Sequence, residues 1–143
     1  MIRNALFILA LAFSSLAGAQ TLVKISDLTL TEKEDVRRGT DLTTQLPEAE
    51  GVARVMLYAD QHITAQAKVK VSTHHVRRSS VKDGAVNLIF DVELVVDGIR
   101  DKRRVERIFY AEQERKASIE EKFTIKHGID MRVLTLAFVV EVL

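Results

Sequence analysis

The adjacent histidines His74 and His75, together with His62, His127, Met56 and Met131, are the side chains in this sequence that come nearest to a metal site. Imidazole and thioether groups suit copper or zinc. Neighbouring residues of a strand point to opposite faces, however, so the two adjacent rings do not readily share one ion. No His-x-His or His-x₃-His spacing is present to pre-form a site. One surface histidine and one half-buried histidine is the plainer reading of the pair. Copper or zinc held by His62, His74, His75 and His127 is the alternative.

Asp91 and Glu93 lie two residues apart and share one face of any strand drawn through them. Two such carboxylates could serve glycoside hydrolysis, or hold calcium with other oxygens. A small exported hydrolase would use them, or Glu120 and Glu121, with a histidine. Polar residues at every second position are also what any half-exposed strand presents.

The densest positive stretch is Arg100, Lys102, Arg103, Arg104 and Arg107, interrupted by Asp101 and Glu106. Read as function, it is a surface for docking an acidic partner or a polyanionic glycan. Read as structure, it is a solvated hairpin edge whose charges discourage unwanted strand pairing. Arg77 and Arg78 extend the patch if the two hairpins lie side by side. The serines sit in no Gly-x-Ser-x-Gly setting, and the six glycines are not clustered into a phosphate-cradling loop. Cysteine is absent, which removes thiol nucleophiles, thiolate metal sites and dithiol redox chemistry. No catalytic residue and no cofactor is assigned on this basis.

Alternating strands must position these side chains. Leu88, Phe90, Val92, Leu94 and Val96 share one parity, opposed by Asn87, Asp91, Glu93 and Asp97, which predicts a strand with one buried face. Asp83-Gly84 and Asp97-Gly98 bracket it as turn dipeptides. Leu134, Leu136, Phe138, Val140 and Val142 repeat the pattern, with a second face apolar enough to predict a central or covered strand. His127-Gly128 supplies the turn before it, and Ile119, Phe123 and Ile125 predict the strand paired to it. Val69, Val71, Thr73 and His75 mark a further strand. Val23, Ile25, Leu28 and Leu30 mark another, broken at Ser26-Asp27.

Residues 33–50 are polar, contain Pro47 and read as a long connection or an edge excursion. Two stretches are ambiguous. Residues 47–67 fit a helix, with Pro47 at its first turn and Val52, Val55, Met56, Ala59 and Ile63 at helical spacing. They also fit a strand from Val52 to Tyr58 with a bend near Asp60-Gln61. Residues 102–116 are similarly two-sided, and the Asp97-Gly98 turn favours a hairpin partner there. The expected fold is therefore all-β, an antiparallel immunoglobulin-like β-sandwich of about seven strands. The alternative is an α+β domain with a helix near 47–67.

Residues 1–19 have the three parts of a secretory signal peptide: Arg3, the apolar run Ala5 to Phe13, and the small residues before a cleavage point near Ala19. The apolar run is too short to span a bilayer, which needs about 20 residues. Residues 20–143 then form a single domain, periplasmic or secreted, with no transmembrane segment. Of the 21 basic residues only Arg3 lies in the leader, and none of the 20 acidic ones does, so the remaining chain is formally neutral. Neutrality argues against nucleic acid as a partner, because that binding rests on phosphate neutralisation. At 47% hydrophobic and 29% charged residues the composition is that of a globular domain. With no Trp and only two Tyr, the aromatic girdles of an outer-membrane barrel are missing.

The function expected is an exported, non-catalytic protein-interaction or assembly module: an accessory, chaperone or surface-structure component of the cell envelope. Its partner is another protein, met through Arg100, Lys102, Arg103, Arg104 and Arg107. The alternatives are a periplasmic metal or small-ligand binding protein and a small exported hydrolase.

Overall fold

Alternation of apolar and polar residues sets the long strands of the fold. A computed structural model describes residues 21–46, 52–72, 86–110 and 115–143, and all its regular elements are strands. These are β1 (Thr21–Glu32), β2 (Asp35–Arg38), β3 (Leu42–Leu46), β4 (Val52–Ala59), β5 (Ile63–Ser72), β6 (Val86–Val96), β7 (Ile99–Phe109), β8 (Lys116–His127) and β9 (Asp130–Val142). The leader, Pro47, the His74-His75 pair, Arg77-Arg78 and Asp83-Gly84 lie outside the described residues.

The strands form two antiparallel sheets. Sheet A runs β2-β1-β9-β8, with β3 also on β1; sheet B runs β4-β5-β6-β7. β2 and β3 pair with the two halves of β1, as Thr29↔Arg38 and Ile25↔Leu42. Between them β1 bulges, with Asp27 at φ 53°. Gly39 sits opposite this break and donates its N–H to the Leu28 carbonyl at 3.0 Å. A Cβ on Gly39 would lie 2.8 Å from a Leu28 side-chain carbon and 3.1 Å from the Leu57 carbonyl oxygen, so β4 approaches closely here and any larger residue must displace its neighbours. The described part of this polar stretch, residues 33–46, is thus an edge excursion, kinked where β1 bulges.

Turn chemistry fixes the hairpins. Asp97 and Gly98 both have positive φ, 49° and 85°, as a two-residue type I′ turn requires between β6 and β7. Gly128 opens the β8–β9 turn at φ 66°. β9 pairs with β1 on one side and β8 on the other, the central place its two apolar faces predicted.

The inner faces meet in one core that includes Phe90, Phe123, Phe138, Ile25, Leu30, Ile119 and Leu134, each less than 2% exposed. Phe90 and Phe138, one from each sheet, pack edge to face with centroids 6.1 Å apart. The outer faces carry the charge. That is the reverse of a lipid-facing barrel, whose outer band is apolar. No helix among the described residues is long and apolar enough to cross a membrane.

Two expectations are corrected. The helix near 47–67 is replaced, over its described part, by β4 and β5, because Val55 and Leu57 are buried while Val52, Arg54 and Met56 are exposed, a period of two rather than 3.6. The bend near Asp60 is present: the Asp60 carboxylate accepts the His62 and Ile63 N–H groups at 2.7 and 2.8 Å. Among the described residues strands number nine rather than about seven, because the polar excursion contributes β2 and β3. Sheet B follows sequence order, whereas sheet A brings the first and last described strands, β1 and β9, side by side.

At the end of the sheets that carries the β6–β7 and β8–β9 turns, Arg132 grips Glu32 with two hydrogen bonds, 2.7 and 2.6 Å, and reaches Asp97 at 3.5 Å. The guanidinium holds the Glu32 carboxyl below its ordinary 4.5, against the opposing effect of burial. The unfolded chain therefore takes up the proton first as pH falls. The stability this pair supplies is complete above pH 4.5 and is lost as the pH drops through the lowered value in the folded protein. Arg132→Met is expected to flatten the fall of unfolding free energy below pH 4.5, as measured by urea titrations at stepped pH.

Candidate functional site: the basic outer face of sheet B

The strand period divides the basic run of β7 between two faces. Arg100, Lys102 and Arg104 point outward and are exposed, whereas Arg103 and Arg107 lie on the inward parity with buried Val105 and Phe109. The two sets do different things.

The inward set closes the seam where β7 runs beside β8. Arg103 Nε donates to the Lys122 carbonyl at 3.1 Å, and the Thr124 N–H donates to Asp101 Oδ2 at 2.8 Å. The Arg103 guanidinium also lies 5.6 Å from the centroid of the Phe123 ring. The same side chains cover the edge of β7 itself. Asp101 Oδ1 accepts the Lys102 N–H at 2.9 Å, Arg103 Nη1 donates to the Lys102 carbonyl at 2.7 Å, and Arg107 Nη1 donates to the Glu106 carbonyl at 2.9 Å. Polar side chains here occupy the backbone groups that a further strand would need.

The outward set belongs to a wider surface built by all four strands of sheet B. Register places Arg54, Lys68, Asp91 and Arg104 in one row, and Met56, Gln66, Glu93 and Lys102 in the next. Arg104 takes Asp91 in a bidentate grip at 2.7 and 3.1 Å, which drives the guanidinium further toward its charged form. Lys102 reaches Glu93 at 3.6 Å. The two carboxylates proposed for acid–base chemistry are thus taken up by cations of the next strand. Glu120 projects from the outer face of the other sheet, and Glu121 lies on the opposite parity of β8, so the four carboxylates are not brought together.

Arg54, Lys68, Lys70 and Arg100 have no ion-pair partner among the described residues. Arg54 stands directly across from Lys68. Like charges in directly opposed positions destabilise a sheet; Lys68 has Asp91 across from it on β6, but that carboxylate is held by Arg104, and Arg54 at the edge has no carboxylate opposite it. Arg54, Lys68, Asp91, Glu93, Arg100, Lys102 and Arg104 line an open groove of about 710 Å³. Sequence reading located the β7 part of this surface and missed Arg54 and Lys68. Their outward parity was visible in the pattern of residues 52–58 and 68–72, but their adjacency depends on register.

The histidines gather less. His62 Nδ1 lies 3.1 Å from Asp97 Oδ1 at the turn end, and His127 lines a second groove there with Asp97, Asp130, Met131 and Arg132. Met56 is on the outer face of sheet B, and His74 and His75 are outside the described residues. Among the described residues no group of three His, Cys, Asp or Glu could hold a metal ion. No family model, curated protein or solved structure matches the chain.

Proposed function

We propose that this chain is an exported, non-catalytic protein-interaction or assembly module of the cell envelope, and that the outer face of sheet B receives an acidic partner. The observation that carries the reading is Arg54 opposed to Lys68 on an open groove, where the next carboxylate of the row, Asp91, is already gripped by Arg104. A bound carboxylate would turn a repulsive pair into a bridged one, so binding relieves a cost built into the free protein. The reading keeps the two-layer construction of an immunoglobulin-like binder, and uses a sheet face in place of its end loops. The leader-like residues 1–19 support periplasmic or secreted placement.

Stability and binding should move in opposite directions. Arg54→Glu places a carboxylate against Lys68 and is expected to raise the unfolding free energy by about 0.2–1 kcal/mol. Combined with Arg100→Glu it should abolish binding of poly-L-glutamate, followed by fluorescence titration. Equal binding by the wild type and the double variant removes the proposal. Binding of heparin but not of poly-L-glutamate would move the partner from protein to glycan and overturn the protein reading.

A further inference from the structure

We propose that the acidic partner enters as an extended segment that adds to the free edge of β4, so that recognition is by main chain as well as by charge. This rests on the reading of the basic face above, and adds where the partner lies and what sequence it carries.

Among the described residues, three of the four sheet edges are obstructed over part of their length. On β8 the Lys122 carbonyl and the Thr124 N–H are taken by Arg103 and Asp101. On β7 the Lys102 N–H and carbonyl and the Glu106 carbonyl are taken by Asp101, Arg103 and Arg107. β2 and β3 are four and five residues long and broken at Gly39. Short, charged or covered edges are how sheets avoid unwanted pairing.

β4 has none of these devices. It pairs only with β5 among the described residues. The phase of its backbone follows from the opposite edge. Lys102 and Glu106 turn their backbone groups away from β6, since side chains bind them there. Antiparallel ladders alternate in direction residue by residue. Carried across β6 and β5 in register, the same rows end at Met56 and Val52, with Arg54 between them. These three residues therefore point N–H and C=O at the open edge, and among the described residues no hydrogen bond reaches those groups. The open stretch ends where Gly39 crowds the Leu57 carbonyl.

Side chains on the same three residues specify the occupant. Val52 and Met56 are each 49% exposed and flank the Arg54 cation on the outer face. A strand laid beside β4 places its own side chains opposite these, about 5 Å away. The complement is an apolar residue, then an acidic one, then an apolar one, at every second position. The acidic side chain meets Arg54 and supplies the charge that the Arg54–Lys68 pair lacks. Backbone pairing gives affinity and the alternate side chains give selectivity, as in other cases of strand addition.

The experiment uses the purified protein and a synthetic peptide containing Val-Thr-Glu-Thr-Val, with a scrambled peptide of the same composition as control. Bound peptide should slow amide exchange at Val52, Arg54 and Met56 by about tenfold or more, while the scrambled peptide does not. Met56→Pro and Val52→Pro remove one edge donor each, at positions where an edge strand tolerates proline. Each should weaken peptide binding about tenfold while leaving poly-L-glutamate binding and the circular dichroism spectrum unchanged. Peptide binding without protection of these amides overturns strand addition and leaves the basic-face reading standing. Loss of both peptide and poly-L-glutamate binding removes both. Protection of the same amides without peptide, rising with protein concentration, makes a second copy the occupant and overturns the choice of an acidic partner.

Discussion

Truncating Phe138 to alanine is expected to lower the unfolding free energy by about 3–5 kcal/mol, the range for emptying a large aromatic site in a packed core. Phe138 lies in β9, paired on both sides, and its ring meets the edge of Phe90 from the opposite sheet. The site has little means of collapse, because its neighbours are held by ladders on each side. Phe90→Ala should cost a similar amount, and the double variant less than the sum of the two, by about 0.5–1.5 kcal/mol. Urea denaturation with an unchanged slope is the measurement. A loss below about 1 kcal/mol for Phe138→Ala would mean that the two sheets are not joined through these rings.

The second large effect is expected at a polar residue. Asp101→Ala should cost about 2–4 kcal/mol, more than is usual for a charged side chain on an edge strand. Asp101 accepts from the Thr124 N–H, the Lys102 N–H and Arg103 Nη1, at 2.8, 2.9 and 2.8 Å, and its side chain is 20% exposed. Removing it strands two backbone donors and loosens the guanidinium that holds the Lys122 carbonyl. Asp101→Asn keeps an acceptor and should recover part of the loss. Arg100→Ala, on the outward parity of the same strand, should stay within about 0.5 kcal/mol of the parent. A loss as small at Asp101 as at Arg100 would show that the β7–β8 seam does not depend on this clasp.

The contrast between Asp101 and Arg100 explains what was legible in the sequence. Alternation from Leu88 to Val96 and from Leu134 to Val142 located β6 and β9, because a half-buried strand writes its burial directly into every second residue. Asp97-Gly98 gave the hairpin, since few residues accept positive φ twice in succession. The basic run of β7 looked like one patch because its members are close in sequence. A period of two divides it, sending Arg103 and Arg107 to the seam and Arg100, Lys102 and Arg104 to the outer face. The other half of the surface, Arg54 and Lys68, is assembled by register between strands, which turn and bulge geometry set together. Residues 52–58 were read two ways because short apolar runs satisfy both periods. The strand order itself could not be read from alternation, which says that a face is buried but not which strand buries it.

The central position of β9 has a consequence for how the chain comes together. The earliest described strand, β1, keeps one side open until residues 135–142 arrive to lie between it and β8. Sheet A therefore cannot be finished piecemeal during synthesis, and the join between its two ends links residues near 22 to residues near 143, the most distant in sequence among the described residues. Acquisition of structure is delayed until the tail is available, and the slow step should be the meeting of the ends. A chain kept open in this way remains threadable for as long as its last segment is withheld.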